Sequence, residues 1–478
     1  MALDFSDFFE AKLPLFYFEE ISKIPHPSSH TEKIADYLVD FAKKHGLSYT
    51  RDAFHNVLIR KEATPGMEDA EPICFQGHTD MVAECDPDIT IDMTKEAITL
   101  YRDGDFLRAR GTTLGGDDGV AVAYALAVLA SDDIPHPYFE ALFTSDEEIG
   151  LIGATNLDVG PLRAKYLVNI DSDGEGVFTV GCAGGVRCDM EKAVEYLPCR
   201  KHGLKVTVGG GKGGHSGVEI DRGRANAVKL LGELLSEARK SVPFSLSSLH
   251  GGNADNAIPA ECSAIVACDD IMTMQKCLND IFPALIAPYK ESEGELFLEL
   301  EVCDVERVLC EGDATLALGA ICATPVGVVA MSRDIEGLVE TSLNLGSVRL
   351  GETLHLVVSV RSSKESEKDA LVARLMAISK EFSLDFSTRG GYPAWEYNGR
   401  SRIIDVCESV YKKLEGQDAK TIIIHAGLEC GILSTKFEGL SCISLGPDNF
   451  DIHTPRERLS LPSFTRVWKF LLEVLKSM

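Results

Sequence analysis

Positive charge is scarce in this sequence. Lysine and arginine together number 47 against 74 acidic residues, a formal net charge of −27 over 478 residues. A surface of that sign repels phosphate backbones and anionic lipids, so neither nucleic acid nor a membrane is an expected partner. The fourteen cysteines form no CxxC pair, the tightest spacings being Cys182/Cys188 and Cys262/Cys268. Zinc-ribbon and thioredoxin signatures are therefore missing. Cys74, Cys268 and Cys442 lie in apolar runs, where a reduced thiol behaves as a small buried hydrophobe. No apolar run approaches the length of a membrane span. The N-terminal stretch MALDFSDFFEAKLPLF lacks the basic start of a signal peptide. A reducing cytoplasm is the expected location. Internal repeats and low-complexity segments are absent too.

What is present reads as an ordinary globular chain, with 45% apolar and 25% charged residues, long enough for two or three domains. In its first third, strand-like and helix-like segments alternate. TEKIADYLVDFAKKH (31–45) spaces Ile34, Leu38, Phe41 and Ala42 for one helix face. Short apolar runs at 72–76, 139–144 and 165–170 read as strands, and 119–131 as a helix packed on them. That alternation implies an α/β layer with a largely parallel sheet flanked by helices, in which functional groups gather at the carboxyl ends of strands. From about residue 187 the character becomes α+β, with strands at RCDMEKAV and GLKVTVGGG and a long helix at 218–240. The α/β style returns from 397. The simplest organisation is a discontinuous domain built from residues 1–186 and 397–478, with a second domain, 187–396, inserted into it.

Five segments place a metal-competent side chain after a short strand. FQGHTDMV holds His78 and Asp80 two residues apart, so in extended chain both lie on one side. GTTLGGDDGV carries Asp117 and Asp118, FTSDEEIG carries Asp146, Glu147 and Glu148, LVNIDSDGEG carries Asp171 and Asp173, and GPDNFDIHTP carries His453. Singly, each has an ordinary structural reading. A lone His is usually a satisfied structural residue, three adjacent acids a solvated corner, and Asp after glycines a helix N-cap. Jointly, two imidazoles and several carboxylates at strand ends fit a hydrolase that clamps a water between two metal ions.

These segments, with LVNIDSD and the late HTP, resemble the M20 metallopeptidase family. GGKGGHSGVEI, GGNADNAIP, VRSS, YPAW and IHAGLECG further resemble its aminoacyl-histidine dipeptidase branch, the peptidase D or carnosinase-like enzymes. The resemblance runs from about residue 5 to the end. It implies a catalytic domain made of the two chain ends and an inserted α+β lid that also mediates homodimerisation. It implies two divalent ions per chain, zinc above all, with manganese or cobalt as substitutes. His78 and Asp171 would hold one ion, Glu148 and His453 the other, with Asp117 bridging both. Asp80 would orient His78, and Glu147 would serve as general base. His215, Asn256, Arg361 and Gly427 resemble groups near the substrate, His215 as oxyanion donor and Arg361 as a fork for a terminal carboxylate. The implied reaction is hydrolysis of dipeptides, Xaa-His or related ones. The rivals are another M20 activity, such as a tripeptidase or N-acyl amino-acid deacylase, and a catalytically dead binding relative. GGDD stands where GADN wording is commoner, which leaves Asp117 in place. Asp221 and Arg222 receive no role from the pattern.

Overall fold

A computed structural model describes residues 3–333, 335, 337–397 and 399–478. The chain forms two compact units. Unit 1 comprises Met1–Cys182, Tyr397–Ile423 and Leu428–Met478, and unit 2 comprises Ala183–Glu396 with Ile424–Gly427.

Unit 1 is built on an eight-stranded sheet. Its four central strands run parallel in the order Phe139–Thr144, Ile73–His78, Tyr166–Asn169 and Ser441–Ser444. The parallel pairing expected for the sheet is found at this centre, whereas Ser48–Arg51 and Val57–Lys61 join antiparallel on one side. Ile73–His78 and Phe139–Thr144 are buried along their whole lengths, the mark of strands covered on both faces. One cover is the helix Gly116–Ala130, in which every residue from Gly119 to Leu129 is buried. Such all-round apolarity belongs to a helix enclosed by other layers. The helix Glu32–Lys44 instead buries only one stripe, Ile34, Leu38, Phe41 and Ala42 among it, as their spacing requires.

Unit 2 centres on a nine-stranded antiparallel sheet. Its strands include Gly184–Ala193, Tyr196–Gly209, Val339–Leu350, Thr353–Ser362 and Asp385–Tyr392. The long helix expected over 218–240 is shorter, running Ala227–Arg239. Asn226 ends the preceding loop and accepts the Lys229 N–H through its side chain at 3.1 Å, an N-cap that outweighs the apolar periodicity. Asp221 and Arg222 lie before it in a single 3₁₀ turn, Ile220–Arg222, with Arg222 2.9 Å from Glu219. Among the described residues no helix is long and apolar enough to cross a membrane.

Candidate functional site

The strand Ile73–His78 ends on His78, which is 1% exposed. It can come this deep because Gly77 lies against the start of the helix Gly116–Ala130. A Cβ on Gly77 would stand 2.2 Å from both Asp118 Oδ2 and Ala121 Cβ. Asp118 accepts the His78 N–H at 3.2 Å and the Ala121 N–H at 3.3 Å. It thus caps its helix and fastens the strand end in one side chain.

Asp117 faces the two imidazoles with its two oxygens. Oδ1 lies 2.9 Å from His78 Nε2, and Oδ2 lies 3.2 Å from His453 Nε2. His453 Nε2 is also 2.9 Å from Glu148 Oε1, and Asp171 Oδ1 is 3.8 Å from His78 Nε2. Three groups of potential ligand atoms result: His78, Asp118 and Asp171; His78, Glu147 and Glu148; Asp117, Glu148 and His453. Hydrogen bonds do not satisfy this cluster, since Glu148 Oε1 is buried with no hydrogen-bond partner despite its closeness to His453. Burial opposes charge on Asp117, yet hydrogen bonds from His453 and His78 hold its carboxyl below the ordinary range. His453 is pushed up to about 10 by the carboxylates of Asp117 and Glu148. His78 is likewise raised, Asp117 and Asp80 outweighing its burial. The donor set demands positive charge, and its oxygen and imidazole donors suit divalent ions such as zinc or manganese.

Asp80 meets both His78 and the acidic turn. His78 Nδ1 lies 2.9 Å from the Asp80 backbone carbonyl and 3.5 Å from its carboxylate. That carboxylate accepts the N–H groups of Glu147 at 2.9 Å and Glu148 at 3.3 Å, and the Ser28 hydroxyl at 2.8 Å. It therefore fixes the turn that presents both acids. Asp146, beside them, accepts the Ser29 N–H at 2.6 Å. Burial raises the Glu147 carboxyl well above the ordinary range, and neighbouring Glu148 adds to this.

Two buried acids beside the cluster received no role from the sequence. Glu457 is 3% exposed and accepts the N–H groups of Leu114, Gly115 and Gly116 at 2.7, 3.1 and 2.8 Å, so it holds the loop that presents Asp117. Glu429 is fully buried and accepts from Gln76 at 2.5 Å and Thr144 at 2.6 Å, tying two strand ends together. The only signal for Glu429 is a lone acid inside the apolar GLECGIL.

Unit 2 gathers the other expected groups. His215 Nδ1 accepts the N–H groups of Gly217 and Val218, both at 3.2 Å. A neutral imidazole accepting at Nδ1 carries its proton on Nε2. Burial, and then Arg361, lower its tendency to protonate. Exposed Asn256 is adjacent, since its carbonyl accepts the Ser216 N–H at 2.8 Å. Arg361 gives Nη1–H to the Tyr392 hydroxyl at 2.9 Å, and its buried Nε has no partner. Gly427 packs against the Tyr392 ring, where a Cβ would meet Cε2 at 2.6 Å. Sequence reasoning missed His425, which is 6% exposed with Nε2 2.7 Å from the Ser342 hydroxyl. Burial, and then Arg361, push it down to about 3.

Residues 74–477 match the model of peptidase family M20/M25/M40. The chain is 37% identical over 465 residues to the cytosol non-specific dipeptidase of Escherichia coli (strain K12), covering 96% of each. The crystal structure of aminoacylhistidine dipeptidase from Vibrio alginolyticus matches with a TM-score of 0.87 and 33% identity, over 97% of this chain and 96% of that one. A tripeptidase from Staphylococcus aureus shares the fold, with a TM-score of 0.57 at 17% identity over 98% of both chains. A family match across most of the chain and a relative of this identity settle the question of kinship: the chain is a peptidase and belongs to family M20/M25/M40.

Proposed function

We propose that this protein hydrolyses dipeptides, Xaa-His among them, with two divalent metal ions per chain. One observation carries the reading. A single carboxylate, Asp117, turns one oxygen to His78 and the other to His453, as a ligand shared between two ions would. His78 and Asp171 would hold one ion, and Glu148 and His453 the other. Bound divalent ions would supply Lewis acidity and make a water acidic enough to react near neutral pH. The relatives named as dipeptidases at 37% and 33% identity support dipeptides over tripeptides or N-acyl amino acids. The full set of acids and imidazoles argues against a dead binding relative.

The chain's own groups divide the remaining work. Glu147 takes the proton of the attacking water and returns it to the leaving amine; its raised affinity for protons suits the exchange. Asp80 keeps Glu147 and Glu148 in place by accepting both of their amides. His215, with its proton on Nε2, donates to the oxyanion of the tetrahedral intermediate. Arg361 takes the substrate's terminal carboxylate, with Asn256 and Gly427 beside the bound peptide. The proposed assembly is a homodimer through the inserted region in the cytoplasm. The edge strand Phe297–Leu309 supports it by leaving Phe297 and Val302 exposed, since unpaired edges invite pairing.

The test is elemental analysis joined to a substrate panel of Xaa-His, β-Ala-His, Gly-Gly, a tripeptide and an N-acetyl amino acid. Two divalent ions per chain and cleavage confined to dipeptides support the reading. Preference for the N-acetyl compound would replace it with a deacylase.

A further inference from the structure

Arg361 belongs to a row that crosses four neighbouring strands of unit 2. Ser342 pairs with Arg361, Arg361 with Gly185, and Gly185 with Tyr392. Residues directly opposite one another in antiparallel strands point to the same face. Gly185 puts no side chain into that row, so the Tyr392 ring lies over it and reaches Arg361 beyond. A Cβ on Gly185 would stand 2.5 Å from the Tyr392 hydroxyl oxygen and 2.6 Å from Cζ. Gly427 closes on the ring from the 424–427 segment, its would-be Cβ 2.6 Å from Cε2. Neither glycine has a positive φ, so what both positions require is room for the ring. The tyrosine main chain is held as well, because buried Lys368 donates to its carbonyl at 2.9 Å.

The ring holds a cation that has no anionic partner among the described residues. Among the described residues no carboxylate pairs with Arg361; it meets the Tyr392 hydroxyl, and its buried Nε is unpartnered. Arginines that are not quite exposed ordinarily have an acid nearby. In a chain so rich in acids, an arginine that pairs with none of the described ones is free to take an outside carboxylate.

We propose that Tyr392 is a positioning residue. It pins one Nη of Arg361 and so sets the plane in which the remaining guanidinium meets the substrate's terminal carboxylate. Gly185 and Gly427 are the space this ring needs. The proposal rests on the reading of Arg361 as the carboxylate fork. Fixing the plane matters because a fork grips a carboxylate only when the two are coplanar, whereas a freely rotating guanidinium acts as a diffuse charge.

The test is kcat/KM for one dipeptide and for its C-terminal amide, on wild type, Arg361→Ala, Tyr392→Phe and Gly185→Ala. The acid-to-amide ratio is insensitive to partial misfolding, which lowers both rates alike. In wild type the free acid should be strongly preferred. In Tyr392→Phe, which removes only the hydroxyl, the preference should fall roughly 5–20-fold, the scale of one charged hydrogen bond, with most of the change in KM. Gly185→Ala, which displaces the ring, should lower it at least as far. An unchanged ratio in Tyr392→Phe, with a clear preference in wild type and none in Arg361→Ala, would overturn the role of Tyr392 alone. No preference in wild type would overturn the Arg361 reading and this proposal with it.

Discussion

Glu147 and its neighbour Glu148 are adjacent in sequence, are held by the same acceptor, and are assigned different work. Glu147→Gln should leave two metal ions bound while lowering kcat at least ~10²-fold, because only proton transfer is lost. Elemental analysis and steady-state rates on one preparation check this; parallel loss of metal and rate would make Glu147 a ligand. His425 offers a test that depends on pH. Its folded-state value of about 3 lies below the ordinary 6.5, so the unfolded chain binds the proton more readily. Its contribution is therefore complete above about pH 6.5 and is lost as pH falls from there towards 3, with a slope of about 1.4 kcal/mol per pH unit for one proton. Urea unfolding at pH 7.5 and 5 should show wild type losing more stability than His425→Gln. Equal losses would mean His425 is solvated. The ligand-type residues were legible because their segments jointly resemble one family pattern, with His78 ending the apolar run before it. Glu457, His425 and Tyr392 were not, since what they do depends on partners far along the chain: Glu457 lies 343 residues from Leu114.

At the scale of elements, the cluster depends on two close approaches. Gly77→Ala would drive a methyl into Asp118 and Ala121, and overpacking of this kind costs about 1–3 kcal/mol. The variant should melt at lower temperature and bind metal less tightly, as calorimetry and metal titration would show; a normal metal affinity would mean the strand end does not set the ligand geometry. Glu457→Gln turns an amide group towards backbone donors that now meet a carboxylate. Unsatisfied buried donors cost about 1–3 kcal/mol each, so the 114–117 loop should loosen and metal affinity should drop while Glu147 is untouched. Most elements could be read from periodicity, and the strand expected over 139–144 is Phe139–Thr144. The helix expected over 218–240 lost its first two turns because local chemistry prevailed, with Gly223 at φ +63° and the Asn226 cap. The helix Glu311–Ala323 was missed because apolar Leu316, Cys322 and Ala323 on its other faces mask the buried stripe of Ala314, Ala317, Leu318 and Ile321.

For the whole molecule, the acid excess makes a strongly anionic chain, and the cluster around Asp117 concentrates part of that charge in buried and half-buried side chains. Light scattering at assay concentration should return about twice the chain mass if the proposed dimer forms, and a fully active monomer would remove it. The central proposal is that Asp117 shares two metal ions to hydrolyse dipeptides, and one titration tests it most directly. The protein is stripped with a chelator, then divalent metal is returned in steps while binding and the rate on an Xaa-His dipeptide are followed together, in wild type and Asp117→Ala. Wild type should lose its activity on stripping and regain it as occupancy approaches two ions per chain, whereas Asp117→Ala should retain neither metal nor rate. A stripped wild-type protein that still cleaves the dipeptide, or an Asp117→Ala variant that still binds two ions, would contradict it.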